Sequence, residues 1–82
     1  MTLHLELYST AGCHLCEQAE HLIVHLLSPE YFSLDVVEIS ESDELMAAYG
    51  VRIPVLKRMD TGAELGWPFQ ASDLIEFLQT PA

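Results

Sequence analysis

Leu3-His4-Leu5-Glu6-Leu7-Tyr8-Ser9-Thr10-Ala11-Gly12-Cys13-His14-Leu15-Cys16 decides how the rest of the chain reads. Leu3 to Tyr8 alternates apolar and polar residues, the period-two pattern of a strand. Ser9 to Gly12 makes a short loop. From Cys13 onward, Leu15, Ala19, Leu22, Ile23 and Leu26 fall on one helical face, so the cysteines open a helix running to Leu27. A C-x-x-C at a strand-to-helix junction in a short chain is the arrangement of a thiol–disulfide redox site. The first turn of a helix has unpaired backbone N–H groups and a partial positive charge, and both favour a thiolate over a thiol. The thiolate is the species that attacks disulfides.

Composition narrows the alternatives. Eighty-two residues with half of them apolar suit one compact domain spanning 1–82. A chain of this size buries about 60–65% of its unfolded surface, so its core must be efficient. Cys13 and Cys16 are the only cysteines. A disulfide closing so short a loop constrains the unfolded chain by only about 2 kcal/mol, which makes a purely structural bridge a weak explanation. Thirteen acidic residues face three basic ones, for a formal charge of −10. Nucleic acid is therefore not an expected partner, because phosphate binding needs Lys and Arg. The excess charge reads as solubility in preference to partner steering. All three basic residues, Arg52, Lys57 and Arg58, flank Pro54. The N-terminus has no basic region followed by a continuous apolar block. No apolar run approaches the roughly 20 residues of a membrane span, so no membrane partner is expected. The expected compartment is a reducing cytoplasm, where disulfides are transient and catalytic.

Outward from the first helix, Ser28-Pro29 marks its end, since the residue before proline avoids helical geometry. Leu34 to Ile39 is rich in β-branched residues and reads as a buried strand. Ser42 is a candidate N-cap for a short helix through Tyr49, with Gly50 as its C-terminal residue. Pro54 to Met59 reads as a third strand. Asp60-Thr61-Gly62 is a hairpin turn signal, and Ala63 to Gly66 a fourth strand. Ser72 reads as the cap of a last helix, Asp73 to Gln79, with Leu74, Ile75, Phe77 and Leu78 at its apolar positions. The order is β-α-β-α-β-β-α, an α/β chain whose first two strands should be parallel and last two an antiparallel hairpin.

The chain resembles the glutaredoxin branch of the thioredoxin fold, and within it the small bacterial glutaredoxin-like proteins. The resemblance runs through Tyr8 to Cys16, then Tyr49-Gly50-Val51-Arg52-Ile53-Pro54-Val55, then Ser72-Asp73-Leu74. It implies a four-stranded mixed sheet of order 2-1-3-4 with helices on both faces. It implies a cis peptide before Pro54, in a loop facing the C-x-x-C. By the same resemblance Ile53 and Pro54 bind substrate, Ile53 through backbone hydrogen bonds to a peptide or to glutathione. Asp73 matches the acidic residue near the glutathione amino group. Three departures count against glutathione as co-substrate: Thr10 stands where a lysine is common, Arg52-Ile53-Pro54 where Thr-Val-Pro is common, and Phe69 and Gln70 where a Gly-Gly pair is common.

Cys13, at the exposed start of the helix, is the candidate nucleophile, because thiol pKa values there fall to roughly 3.5–7.5. Cys16, one turn deeper, is the candidate resolving thiol. His14, when protonated, would favour the Cys13 thiolate, while Glu17 opposes it, which leaves the sign of the net shift open. His14, His21 and His25 form a stripe opposite the apolar face and diverge from Cys16, so they read as a solvated face and no metal ligand is assigned. Trp67-Pro68-Phe69 offers an aromatic rim for a partner or, better, packing for the last helix. The basic trio around Pro54 could hold a substrate carboxylate or simply be solvated strand residues.

Together these readings describe a thiol–disulfide oxidoreductase with no bound cofactor. Its expected partners are a disulfide-containing protein or small thiol, and a thiol reductase as electron donor. Two other classes remain: metal or iron–sulfur handling through a C-x-x-C from each of two chains, and a binding module that keeps the fold without turnover.

Overall fold

The computed structural model describes residues 2–79. The alternating N-terminal run forms strand β1 (Leu3–Ser9), and the segment opened by the cysteines forms α1 (His14–Leu26). Strand β2 (Phe32–Glu38) leads through a 3-10 turn (Ile39–Glu41) into α2 (Asp43–Tyr49). Strands β3 (Val55–Arg58) and β4 (Glu64–Gly66) form the hairpin, and α3 (Ala71–Gln79) follows. The four strands lie in the order β2-β1-β3-β4. β1 and β2 are parallel, while β3 is antiparallel to both β1 and β4. This is the thioredoxin fold, with the expected element order and sheet order.

The period-two alternation of β1 divides the core. Leu5 and Leu7 are fully buried with Ala19 and Ile23 of α1, Leu56 of β3, Phe69, and Leu74 of α3. Tyr8 points the other way and joins Ile39, Tyr49 and Val55 in a second cluster beneath α2. Helices thus cover both faces of the sheet. Each fully buried Leu or Ile contributes about 1.5–3 kcal/mol of transfer free energy.

Several elements differ in detail from the sequence reading. The buried stripe of α1 is Cys16, Ala19 and Ile23. Leu15 and Leu26, read as part of its apolar face, are 48% and 37% exposed. The helix is rotated so that Cys16, and not Leu15, faces inward. β2 begins at Phe32 and is an edge strand with Val36 half exposed, so it is only partly buried; Ile39 is buried in the 3-10 turn beyond it. The third strand starts at Val55, one residue after Pro54, which has no N–H for the ladder.

Helix ends follow local chemistry. Ser42 caps α2, its Oγ accepting from Leu45 N–H at 3.2 Å. Gly50 closes α2 with right-handed geometry. A Cβ there would sit 2.5 Å from the Met46 carbonyl oxygen, so a close approach, not a positive φ, demands glycine. Ser72 does not cap α3. The first helical bond runs from Leu74 N–H to the Gln70 carbonyl, and the Asp73 carboxylate accepts from Gln70 N–H at 2.9 Å. A carboxylate one turn in reaches back to the orphan amide, as in half a capping box, and moves the start two residues upstream. Ile75, assigned to the apolar face, is 42% exposed.

Candidate active site

The site begins where β1 runs out. Gly12 takes φ +77°, a left-handed conformation that side chains resist, and turns the chain toward the helix. Cys13 N–H donates to the Thr10 carbonyl at 3.3 Å, closing the turn. Cys13 is the N-cap of α1, with φ −90° and ψ 104°. Its Sγ accepts the Cys16 backbone N–H at 3.2 Å, and its carbonyl accepts from Glu17 N–H at 3.1 Å. A sulfur therefore occupies the place of the usual hydroxyl or carboxylate cap. Cys13 and Cys16 are joined as a disulfide, with their Cα atoms 5.2 Å apart. Cys13 is partly exposed, whereas Cys16 is 2% exposed.

A residue the sequence reading missed holds this loop. Glu38 ends β2 and pairs in register with Ser9 at the end of β1. Its carboxylate accepts the Ala11 N–H at 2.9 Å and the Ser40 N–H at 3.0 Å. Hydrogen bonds from Ser40, Thr10 and Ala11 hold its pKa down, from the ordinary 4.5 to about 2. The same anion thus ties the approach to Cys13 to the start of the 3-10 turn. Finding it required the parallel register, because the contact joins residues far apart in sequence.

The two candidate modulators on α1 engage each other. His14 Nδ1 lies 3.5 Å from a Glu17 carboxylate oxygen, and both side chains are largely exposed. The rings of His21 and His25 lie 4.0 Å apart further along the helix. Among the described residues, no group of three metal-ligating side chains includes a cysteine or these histidines.

The Ile53–Pro54 peptide is cis, and so is Trp67–Pro68, which the sequence reading did not foresee. Tyr8 and Val55 are register partners in antiparallel strands, so β1 ends where β3 begins. The C-x-x-C loop and the Ile53–Pro54 loop therefore leave the same end of the sheet. Pro54 is buried, Ile53 is partly buried, and the Pro54 carbonyl accepts from Trp67 N–H at 3.1 Å.

Beside this loop lies a second group that no local pattern announced. Tyr8 and Tyr49 stack with ring centroids 4.3 Å apart and planes 10° apart. The Tyr8 hydroxyl donates to Glu6 at 3.0 Å, and that of Tyr49 donates to Glu64. Arg52 bonds Glu64 at 3.0 Å and lies 5.3 Å over the Tyr49 ring. Burial first, then Glu6, pushes the Tyr8 phenol well up. The bond to Glu64 raises the Tyr49 phenol, and the same bond, with Arg52, holds the Glu64 carboxyl low. Arg52 is thus anchored two residues before Pro54.

Arg58 corrects the reading of the basic trio. It is buried, bonds Asp60 through two nitrogens at 3.0 and 2.7 Å, and donates to the Phe77 carbonyl at 2.9 Å. The pair raises the Arg58 pKa and lowers that of Asp60. It is neither solvated nor open to a substrate; it ties the hairpin to α3. Asp73 engages the first turn of α3, as described above. Phe69 is buried and meets Trp67 edge to face at 5.0 Å, favouring packing as the role of that segment.

A thioredoxin fold carrying a dithiol motif at the start of its first helix defines the class. The family model described as a glutaredoxin-like domain (DUF836) matches residues 4–79, and the chain belongs to that family. Among curated proteins there is no match. The chain is similar to protein XcR50 from X. campestris, with 38% identity, TM-score 0.79, and coverage of 94% of this chain and 99% of that one. It is also similar to protein Ne2328 from Nitrosomonas europaea, with 31% identity, TM-score 0.79, and coverage of 98% and 94%. The dimeric thioredoxin-like protein NE0084 of the same organism, at 21% identity, TM-score 0.62, and coverage of 92% and 98%, shares the fold. No helix among the described residues is long and apolar enough to cross a membrane.

Proposed function

We propose that this protein is a thiol–disulfide oxidoreductase in which Cys13 attacks and Cys16 resolves. The observation that carries the reading is the asymmetry of the pair. Cys13 is partly exposed at the helix N-cap with its sulfur on the Cys16 N–H, while Cys16 is buried one turn in. The Cys13 thiolate attacks one sulfur of a substrate disulfide, forming a mixed disulfide and releasing the first substrate thiolate. Cys16, as thiolate, then attacks the Cys13 sulfur. The Cys13–Cys16 disulfide forms and the second substrate thiolate leaves, so two electrons pass from the dithiol to the substrate. A thiol reductase returns the pair to the dithiol, in a reducing cytoplasm. The backbone of Ile53, beside cis Pro54, is the surface on which an extended substrate segment would lie, with Arg52 as the cation adjacent in sequence.

Protein disulfides suit this site better than glutathione. Thr10 supplies no cation, and Phe69 fills the core where a more open pair of glycines would leave backbone accessible.

The test uses reduced, purified Cys16→Ser protein incubated separately with insulin and with oxidised glutathione, read by mass spectrometry. Insulin is expected to be captured through Cys13, with capture abolished by Cys13→Ser. Capture of glutathione alone would reverse the substrate preference. Absence of any adduct would favour a binding module, and an absorbing cluster, or bound metal that is lost on Cys13→Ser substitution, in the reductively purified protein would favour metal handling.

A further inference from the structure

We infer that His4, Glu6 and Asp35 form a binding site for a divalent first-row transition-metal ion of the zinc or cobalt type, separate from the disulfide. One ligand atom from each residue can be chosen so that all lie within 4.8 Å of one another. His4 Nε2 is 3.2 Å from Asp35 Oδ2. Neighbouring ligands bound at about 2.0–2.1 Å around one ion stand about 3 Å apart, so this pair already has the spacing of a coordination edge. Strand geometry produces it. His4 and Glu6 alternate onto the same face of β1, and Asp35 is the register partner of Glu6 on β2.

Two of these groups already have outer partners. His4 Nδ1 lies 2.8 Å from Ser33 Oγ, its register neighbour. A proton on Nδ1 donated to that hydroxyl leaves the Nε2 lone pair facing Asp35, the tautomer a metal ligand needs. Glu6 accepts the Tyr8 hydroxyl at 3.0 Å, which orients its carboxylate. Such supports are what metal-bound imidazoles and carboxylates use.

The electrostatics point the same way. Glu6 and Asp35 are like charges directly opposed in adjacent strands, an unfavourable pairing. Lys57 flanks Glu6 from β3 but faces Glu64 as well. A divalent ion between the carboxylates turns repulsion into ligation. One imidazole with two carboxylates suits a borderline ion, and three protein ligands leave positions for water. At about 3.3 Å per residue, His4 lies about 16 Å along β1 from Ser9, where the C-x-x-C loop begins.

The experiment is calorimetric titration of the oxidised full chain with Zn²⁺ alone, the disulfide keeping thiolates out of competition. One equivalent is expected to bind. His4→Ala and Asp35→Asn should each weaken it at least tenfold, and a His21→Ala/His25→Ala double variant should leave that equivalent unchanged. Asp35 is mostly exposed, so its variant remains informative even if His4→Ala folds poorly. Lack of stoichiometric binding by the wild type overturns the inference. So does binding that survives both Asp35→Asn and His4→Ala and disappears in the double histidine variant.

Discussion

Cys13 does two jobs with one atom: its sulfur caps α1 and is the candidate nucleophile. Sulfur is a weak acceptor, so a hydroxyl at the same position caps better. Under reducing conditions, urea denaturation of Cys13→Ser and Cys13→Ala should differ by about 1 kcal/mol in favour of serine, since only serine keeps an acceptor for the Cys16 amide. Equal stabilities would mean that the sulfur is not a cap. One residue earlier, Gly12 sits at φ +77° with no atom within 4 Å of where a Cβ would stand. Gly12→Ala should therefore lose about 1–2 kcal/mol from backbone conformation alone, measured as a lowered urea midpoint.

At the scale of elements, two charged clamps set the geometry. Glu38 joins β2, the loop before Cys13 and the 3-10 turn. Its folded pKa is depressed to about 2 from 4.5, so the folded state favours the anion. Its contribution is fully present above about pH 4.5 and is lost as pH falls toward 2. The carboxyls of Asp60 and Glu64, also held low, act in the same direction. Glu38→Gln should flatten part of the acid limb of stability against pH and speed proteolysis of the 9–13 loop. An unchanged acid limb would rule out Glu38 as a clamp. Arg58 is the second. Arg58→Met removes the donor from the Phe77 carbonyl and from the Asp60 carboxylate, which keeps the Thr61 N–H, and a loss of about 2 kcal/mol in chemical denaturation is expected.

These elements also show what could be read from the chain. The β1-to-α1 junction was legible because a period-two pattern gives way to a helical one across Gly12, with the cysteines marking the seam. The orientation of α1 is not legible, because Leu15 has the spacing of a core residue, while the structure exposes it and buries Cys16. The start of α3 is not legible, because Ser72 has the residue type and position of a cap, yet the Asp73 carboxylate reaches the Gln70 amide. Glu38, the tyrosine stack and the buried Arg58 depend on strand register and on chain segments meeting across the fold. No local pattern encodes them.

For the whole molecule, a formal charge of −10 on 82 residues is the dominant long-range term. With few cations to offset it, self-repulsion works against the compact state. Raising salt from ~10 to ~150 mM shortens the screening length from about 30 to about 8 Å. The midpoint of thermal unfolding should rise with that change. A fall would mean that the ion pairs Arg52–Glu64 and Arg58–Asp60 outweigh the general repulsion. The charge also bears on the site: Glu17 faces His14, and the acidic surroundings oppose the helix-terminal stabilisation of a thiolate.

That competition makes one titration the most direct test. The reduced protein is alkylated with iodoacetamide across the pH range, and the rate at each cysteine is read by mass spectrometry. The helix N-cap and the Cys16 amide are expected to give Cys13 a midpoint below about 7.5, with Cys16 reacting far more slowly. A Cys13 midpoint at or above the ordinary thiol value of about 8.5, or faster modification of Cys16, would contradict the account.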